Sequence, residues 1–261
     1  MHPEPAQPFS VEHFQSYLET RWLGRRFVHE PVVGSTMDIV RQRAAEGAEE
    51  GLVVSADEQT AGRGRYGRRW LAPPGVNLAV SILLRPSLER LKTLSIAMPL
   101  GVVAGIQVIT GLQPSIKWPN DIQINGRKLA GILLESEING QVPRFAVAGI
   151  GLNVNFDTAA EPEIADLATS LLRETGRTHE REAILAACLN AWERSYEAPP
   201  LETWTAWRAR LNTIGQQIRV SFQGRVCEGL AEDVDADGSL ILRQTDGSQV
   251  VLPAGEVTLR V

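Results

Sequence analysis

Residues 57–70 read DEQTAGRGRYGRRW and bring three glycines and four arginines together within one short stretch. Glycine lets backbone N–H groups come close to a ligand, and the guanidinium group of arginine binds a carboxylate or a phosphate through two parallel hydrogen bonds. These residue types at this spacing predict a site for an anionic ligand. The residues alone also allow a second interpretation, a flexible arginine-glycine segment that coats nucleic acid.

The sequence on either side of this stretch favours the anion site. Apolar runs in residues 52–56 and 76–84 flank it, and both are typical of strands. The chain of 261 residues carries a formal net charge of −5, which argues against general binding to nucleic acid. We therefore expect a loop that is held between two strands of a folded domain.

The motifs of several common enzyme classes are absent from the sequence. It contains no GxxxxGKS/T phosphate loop, no GxGxxG that opens a helix after a strand, no HExxH and no GxSxG, and its four histidines stand apart from the glycine-arginine stretch. A cationic cluster with so little acid-base equipment suits a reaction that is limited by charge and positioning. Activation of a carboxylate by ATP is such a reaction, because two anions must be brought together.

The stretch GRGRYGRRW resembles the glycine-arginine signature of the biotin protein ligases. Four further segments resemble motifs of that family and keep its order along the chain. They are GSTMD at residues 34–38, KWPNDI at 117–122, RKLAGILLE at 127–135 and GIGLNVN at 149–155. A shorter segment, from residue 214 onward, resembles the family's small C-terminal β domain.

The resemblance implies an ATP-dependent enzyme that works in two steps. Biotin and ATP, with Mg²⁺, would form biotinyl-5'-AMP and pyrophosphate, and the biotinyl group would then pass to a lysine on a biotin carboxyl carrier protein domain. Two other functions stay open at this point: a ligase of the same architecture that attaches lipoate or octanoate, and a non-catalytic module that binds RNA. The acidic total charge and the lack of aromatic residues interleaved with a basic face argue against the RNA-binding module.

The resemblance also implies an α+β fold in two parts. Residues 1–213 would form a mixed-sheet catalytic domain of the class II synthetase-like, biotin/lipoyl ligase type with an N-terminal helix, and residues 214–261 an SH3-like β barrel. The dipeptide Asn125-Gly126 predicts a tight hairpin between two strands. Apolar periodicity predicts helices over residues 10–22, 38–46, 164–172, 181–196 and 202–212.

The resemblance assigns roles to individual residues within the motifs. The expected catalytic residues are Lys128, Arg63 and Arg65, with Lys128 reaching both the biotin carboxylate and the α-phosphate. The expected biotin-binding residues are Ser35, Thr36, Met37, Gln59, Gly62, Arg63, Gly64, Arg65, Lys128 and Gly131. The expected ATP-binding residues are Arg63, Arg65, Arg68, Trp70, Asn120, Lys128 and Asn153, and Asp121 is the candidate metal ligand.

Several of these residues have a simpler interpretation when the resemblance is set aside. Ser35 and Thr36 lie where a helix begins, so either hydroxyl could cap that helix. Lys128 could be a solvated lysine beside a turn, and Trp70 an ordinary core indole. Asn120 and Asp121 follow a proline and are common turn residues. Many members of the family have asparagine at the position of Met37, so one polar contact to biotin is in doubt.

The remaining features of the sequence concern the location of the protein in the cell and its partners. Residues 93–116 carry no charge, but their polar interruptions and three glycines favour a buried helix over a membrane span. The N-terminus has no basic region followed by an apolar stretch, and Cys188 and Cys227 form no CxxC pair, so we expect a cytoplasmic protein without disulfides. The short segment before the first motif cannot hold the DNA-binding domain of some family members, so no DNA partner is expected. Dimers through a sheet edge occur in the family, which allows a homodimer.

Overall fold

The structure is a computed structural model, and it describes residues 8–70, 73–222, 224–253 and 256–259. The strands of the larger sheet are β1 (Arg26–Val33), β2 (Leu52–Gln59), β3 (Leu78–Leu84), β4 (Ser115–Lys117), β5 (Asp121–Ile124), β6 (Arg127–Asn139) and β7 (Val142–Leu152). They lie in the order β1-β2-β3-β7-β6-β5-β4, with β1 and β2 parallel and the other neighbours antiparallel. The insertion of β7 between β3 and β6 brings the GIGLNVN motif beside motifs that are distant from it in the chain.

Helices cover both faces of this sheet. They are α1 (Val11–Tyr17), α2 (Thr36–Ala45), α3 (Leu88–Thr110), α4 (Leu171–Thr175), α5 (Arg181–Glu197) and α6 (Pro200–Arg208). In β2, Val53 packs into the core cluster beneath α3 and α5, whereas Leu52 and Val54 pack into the cluster beneath α2. Because both faces are buried, the central strands read as continuous apolar runs rather than as an alternating pattern.

Helix α3 is long and apolar enough to cross a membrane, but 61% of its most apolar window is buried inside the protein. Two of its glycines, Gly101 and Gly105, allow it to pack closely against α5. A Cβ atom at Gly101 would lie 2.4 Å from Cβ of Trp192, and one at Gly105 would lie 2.4 Å from the backbone nitrogen of Cys188. The helix is therefore a core element, as the polar interruptions in its sequence predict.

A second, five-stranded antiparallel sheet forms the C-terminal part. Its strands are β8 (Gln217–Phe222), β9 (Arg225–Val234), β10 (Leu240–Arg243), β11 (Gln249–Leu252) and β12 (Glu256–Leu259), in the order β11-β10-β9-β8-β12. The indole N–H of Trp118 donates to the carbonyl oxygen of Gly238 at 2.9 Å, so this sheet packs directly on the larger part. The predicted fold class, α+β with a mixed-sheet domain and a small β domain, is confirmed.

The helix predicted over residues 164–172 is wrong, because only Leu171–Thr175 is helical. The backbone before it pairs with the β6 strand instead. The N–H of Lys128 donates to the carbonyl oxygen of Leu167 at 2.9 Å, and the N–H of Thr169 donates to that of Lys128 at 2.8 Å. These bonds use the backbone groups that a helix would need.

Two other predicted helices are shorter than the sequence pattern indicates. Helix α1 ends at Tyr17 because backbone N–H groups beyond it bond to side chains of α5. Glu193, for example, accepts from Arg21 at 2.7 Å and from Leu23 at 2.9 Å. Helix α6 ends at Arg208, and Asn212 donates instead to the carbonyl oxygen of Ile116 at 3.0 Å.

Candidate active site

One cavity of about 310 Å³ lies where the ends of several strands meet the glycine-arginine loop. It is lined by almost all the residues that the sequence singles out. They are Ser35, Thr36, Met37, Gln59, Arg63, Gly64, Arg65, Arg68, Trp70, Asn120, Asp121, Lys128, Gly131 and Asn153. Residues more than a hundred positions apart in the chain are thus collected around one space.

Gly62 is the exception, since it does not line the cavity. It lies behind Gln59, where a Cβ atom would come within 3.2 Å of Nε2 of that side chain. Its carbonyl oxygen accepts a hydrogen bond of 3.0 Å from the N–H of Trp70. The structure therefore gives Gly62 a place in closing the base of the loop and not in the cavity wall.

The inner end of the cavity is polar and uncharged. The backbone N–H and the hydroxyl of Thr36 both donate to Oε1 of Gln59, at 2.9 and 3.1 Å, and the hydroxyl lies 2.7 Å from Oγ of Ser81. Ser35 precedes α2 in the N-cap position but makes no side-chain capping bond. The capping interpretation of Ser35 is therefore not what the structure shows, and the side chains of Thr36, Gln59 and Ser81 form a fixed set of donors and acceptors.

Met37 closes the inner end with an apolar contact. Its side chain is buried and belongs to the core cluster beneath α2. A Cβ atom at Gly149 would lie 2.9 Å from Sδ of Met37, so glycine on β7 is what makes room for the thioether. The departure from asparagine places an apolar group at this point of the wall.

The outer end of the cavity is strongly cationic. Its lining includes the cations Arg63, Arg65, Arg68, Arg69, Lys117 and Lys128, whereas Asp121 is the one acidic residue among the lining residues that the structure describes. Nζ of Lys128 lies 2.6 Å from Oδ1 of Asp121 and 5.7 Å from the centre of the Trp70 ring. Such an excess of positive charge in a chain of net charge −5 suits an anionic ligand.

Arg65 and Arg63 point in different directions. Nη1 of Arg65 donates to Oδ1 of Asn120 at 3.2 Å, across the cavity wall. Arg63 instead grips Asp38 on α2 through two bonds, of 2.9 and 2.5 Å. The hydrogen bond from Arg63 lowers the pKa of Asp38 below its ordinary value, against the opposing effect of partial burial.

Trp70 lies against two strands that carry glycine. A Cβ atom at Gly151 would come within 2.3 Å of Cε2 of the indole, and one at Gly131 would lie 3.0 Å from Nζ of Lys128. Only glycine at these points lets the indole and the ammonium group pack against the sheet. Nε1 of Trp70 is buried and has no hydrogen-bond partner within the described part of the chain. Trp70 is therefore a cavity residue and not an ordinary core indole.

Among the described lining residues of the cavity, few side chains are suitable metal ligands. The described residues contain no group of three or more histidine, cysteine, aspartate or glutamate side chains that could hold a metal ion. Asp121 is already paired with Lys128.

Sequence reasoning missed part of the lining. No individual role was assigned from the sequence to the following lining residues, although some of them stand within its motifs and Arg69 belongs to the predicted cationic cluster: Tyr66, Arg69, Val80, Ser81, Lys117, Trp118, Pro119, Ile132, Leu133, Gly149, Ile150, Gly151, Ile164, Leu167, Ala168 and Val257. Ser81 could have been found, because it is a lone hydroxyl in the apolar run of residues 76–84. Leu167 and Ala168 lie in the segment that was predicted to be helical, and Val257 reaches the cavity from the C-terminal sheet, so no local pattern indicates them.

Comparison with known proteins gives the same answer for both parts of the chain. Residues 30–154 match the model of the biotin/lipoate A/B protein ligase family, and residues 213–260 match that of the biotin protein ligase C-terminal domain. The bifunctional ligase/repressor BirA of Bacillus subtilis is 34% identical over 244 residues, which are 91% of this chain and 75% of that protein. The biotin-[acetyl-CoA-carboxylase] ligase of Mycobacterium tuberculosis is 36% identical over 239 residues, which are 86% of this chain and 85% of that protein.

A solved structure shows the same fold over most of the chain. The biotin protein ligase of Aquifex aeolicus in complex with biotin and ATP superposes with a TM-score of 0.76 at 27% sequence identity, over 90% of this chain and 99% of that one. Sequence identity above 30% over most of the length, agreement of both domain models and a common fold leave one conclusion. The chain belongs to the biotin protein ligase family.

Proposed function

We propose that this protein is an ATP-dependent biotin protein ligase, which forms biotinyl-5'-AMP and transfers the biotinyl group to a lysine of a biotin carboxyl carrier protein domain. One observation carries the proposal. A single cavity joins an uncharged hydrogen-bonding end to a cationic end, in a chain 36% identical to a named biotin-[acetyl-CoA-carboxylase] ligase. Biotin has the same division, with a neutral cyclic urea at one end and a carboxylate at the other.

The inner end binds the urea of biotin. Thr36, Gln59 and Ser81 hold one another through hydrogen bonds and are therefore in place before the ligand arrives. The hydroxyl of Ser35 lines the same wall and makes no capping bond. A neutral ligand matches this wall because burying a charge there without a partner would be costly.

The outer end brings the carboxylate of biotin to the α-phosphate of ATP. Both groups are anionic, so the first step is limited by their repulsion and by their orientation. Lys128 and Arg65 reduce that repulsion, and the carboxylate of biotin displaces pyrophosphate from the α-phosphate. The nucleophile belongs to the substrate, so no residue of the chain forms a covalent bond.

The nucleotide lies against the loop and the β5–β6 hairpin. Trp70 offers an indole face to the adenine ring, and its buried Nε1 has no hydrogen-bond partner among the residues that the structure describes. Asn120 and Asn153 line the same part of the cavity, and Arg68 adds positive charge for the phosphates. Asn120 is itself held by a bond of 2.6 Å from its amide to the carbonyl oxygen of Ile132.

A magnesium ion fits this cavity only together with the nucleotide. Proteins commonly bind Mg²⁺ through one or two carboxylates and the phosphates of the substrate. Asp121 is the side chain that would contribute, once Lys128 turns from it towards the ligand. The ion would neutralise charge on the phosphate oxygens.

In the second step the amine of the acceptor lysine attacks the acyl carbon of the adenylate, and AMP leaves with the bonding electrons. The positive charges of Arg65 and Lys128 stabilise the negative charge on the phosphate of the leaving AMP. The described lining contains no histidine, so proton transfer from the amine does not rest on an imidazole of the cavity wall.

We extend the proposal to the organisation of the protein. Residues 1–213 form the catalytic domain and residues 214–261 a separate SH3-like domain, a division supported by the domain match over residues 213–260. We propose a cytoplasmic enzyme that has no DNA partner and does not insert into a membrane, consistent with the burial of α3. A homodimer through an edge of the larger sheet stays a prediction, and the edge at β4 is already bonded to the backbone of residues 210 and 212.

Incubation with biotin, ATP, Mg²⁺ and a carrier domain tests the function. We expect the carrier to gain the mass of one biotinyl group, and a carrier whose acceptor lysine is arginine to gain none. Lipoate and octanoate in parallel reactions separate this activity from its nearest alternative. Attachment of either acid in preference to biotin, or no gain in mass with any of them, would contradict the proposal.

A further inference from the structure

Arg181, a buried cation, bonds to the chain on both sides of the glycine-arginine loop; we call these two segments, at Asp57 and at Asn77, the legs of the loop. Arg181 is the first residue of α5, and its side chain is only 5% exposed. Its Nη1 lies 2.6 Å from Oδ1 of Asp57 on β2, where the chain enters the loop. The same nitrogen lies 3.4 Å from the carbonyl oxygen of Asn77, where the chain leaves it for β3.

The two legs also bond to each other at this point. The N–H of Gly75 donates to the carbonyl oxygen of Asp57 at 3.0 Å. Arg181 therefore stands at the junction between the sheet and the segment that carries Arg63, Arg65 and Trp70, without itself lining the cavity. No motif of the sequence indicates this residue.

Aromatic and polar side chains surround the ion pair between Arg181 and Asp57. Its guanidinium group lies 5.6 Å from the ring centre of Phe9. Nε2 of His29 lies 3.3 Å from Oδ2 of Asp57, and Nδ1 of His29 lies 2.7 Å from Oγ of Ser55. A buried charge of this kind is stable only when its partners are complete, so removal of the cation leaves Asp57 without its main counter-charge.

The serine, histidine and aspartate in this network have the composition of a hydrolase triad, but they do not form one. Ser55 is 2% exposed, and none of the three side chains lines the cavity. A substrate has no access to the serine in this arrangement. The group therefore acts on the position of the backbone.

The network continues from the junction to the nucleotide end of the cavity. Oδ1 of Asn77 accepts from the N–H of Val154 at 2.9 Å, and its amide lies 3.4 Å from Oδ1 of Asn153. Asn153 lines the cavity and donates to the carbonyl oxygen of Thr169 at 3.0 Å. The same anchor therefore fixes the loop and one wall of the nucleotide site relative to each other.

We propose that Arg181, through Asp57 and Asn77, is a positioning residue that sets how firmly the glycine-arginine loop covers the bound adenylate. The inference rests on the proposed function for its kinetic consequences and on the geometry alone for its effect on the loop. When the anchor is weakened, the loop opens more often. Substrates and the intermediate then escape sooner, while chemistry in the closed state changes little.

Arg181→Gln and Asp57→Asn test this role, with Arg208→Gln as the matched control. Arg208 forms an ion pair of the same length, 2.6 Å, with Asp233, but it joins α6 to β9 and not to the loop. For both anchor variants we expect release of biotinyl-5'-AMP to be about 10-fold faster and KM for biotin and ATP to rise, with kcat reduced much less. The control should release the intermediate at the wild-type rate.

Limited trypsin digestion gives a second readout that needs no activity, because the loop carries four arginines. The anchor variants should be cut in residues 63–69 several-fold faster than the wild type and the Arg208→Gln control. Wild-type cleavage and wild-type release in a folded anchor variant would overturn the positioning role, and Asp57→Asn decides the question if Arg181→Gln does not fold. A wild-type protein that makes no adenylate would refute the proposed function, while the digestion would still decide this inference.

Discussion

The two ends of the cavity are built in opposite ways. At the inner end, Thr36 and Ser81 are 2% and 0% exposed, and they lie on regular elements, α2 and β3. At the outer end, the side chains of Lys128 and Arg63 are 35% and 30% exposed, and Arg63 lies on the loop. The inner end is neutral and already hydrogen-bonded, whereas the outer end carries an excess of cations, of which Lys128 and Arg63 form ion pairs.

This difference fits what the proposed function requires each end to bind. A neutral ring is recognised by donors and acceptors that do not move, and such groups can be buried because they satisfy one another. Charges cannot be buried without large cost, so Lys128 and Arg63 at the outer end stay partly exposed and pair with Asp121 and Asp38 until a ligand comes. We therefore expect changes at the outer end to affect chemistry and retention, and changes at the inner end to affect affinity for biotin.

Lys128→Ala should have the largest effect. Adenylate formation should fall by about 100-fold or more, as is usual when one donor to developing charge is removed, while the protein stays folded. Pyrophosphate release measures the rate. Lys92→Ala, on the exposed side of α3, is the matched control and should be unchanged. Near-normal turnover of Lys128→Ala would remove the outer end from the chemistry.

Thr36→Val sharpens the comparison at the inner end. The substitution keeps the shape but removes the hydroxyl that bonds to Gln59 and Ser81, and a buried partner left unsatisfied in this way costs about 1–3 kcal/mol. We expect KM for biotin to rise about 10-fold or more, with kcat and KM for ATP nearly unchanged. Thr60→Val is the control, because that hydroxyl is exposed and bonds only to the carbonyl oxygen of Val33 among the described contacts. A fall in kcat without a change in KM would contradict the proposal that the inner end sets the affinity for biotin.

Arg65→Gly should loosen retention of the intermediate. Loss of a charged hydrogen bond, here to Asn120, predicts release of biotinyl-5'-AMP about 10-fold faster, measured by rapid filtration or by free adenylate in solution. Arg65→Lys keeps the charge but not the planar fork, so an intermediate rate is expected. If both variants retain the adenylate as the wild type does, Arg65 does not hold it.

Asp38→Asn should have the smallest effect, because the pair with Arg63 is partly exposed and such pairs are worth less than about 1 kcal/mol. The hydrogen bond from Arg63 lowers the pKa of Asp38 in the folded protein below its ordinary value of 3.8. Its contribution to stability is therefore complete above pH 3.8 and is lost as the pH falls through the lowered folded pKa.

Thermal unfolding of the wild type and Asp38→Asn at a series of pH values measures this contribution. The difference in melting temperature should be largest near neutral pH and should vanish at the acid end. Glu46→Gln, at the other end of α2, serves as the control, since its pair with Arg43 spans 3.4 Å on the exposed face and does not touch the loop. A difference that grows on acidification would contradict the assigned pair.

Local features of the fold were predictable because the sequence itself creates them. Asn125 and Gly126 adopt φ values of 51° and 77°, as a two-residue hairpin requires, and the dipeptide alone predicts this. The helix predicted over residues 164–172 is wrong for the opposite reason. The apolar spacing of this segment favours a helix, but bonds of its backbone with Lys128 outweigh that local preference.

The candidate site likewise has features that the sequence predicts and features that it does not. Of the residues that the sequence analysis assigned to the site, all except Gly62 line the cavity. The partners of those side chains were not predictable. Nothing in the sequence indicates that Arg63 grips Asp38, that Ser81 meets Thr36, or that Arg181 holds both legs of the loop.

The sequence by itself determined the residue types, their order and the tight turns, because these depend on neighbours within a few positions. It thereby indicated a cationic loop, a neutral binding segment and the family. Only the tertiary structure decided which of these groups touch, since β7 enters between β3 and β6 and α5 returns over the sheet to the base of the loop. Contacts between residues that are distant in the chain follow from how both faces of that sheet are covered, and no short stretch of sequence records them.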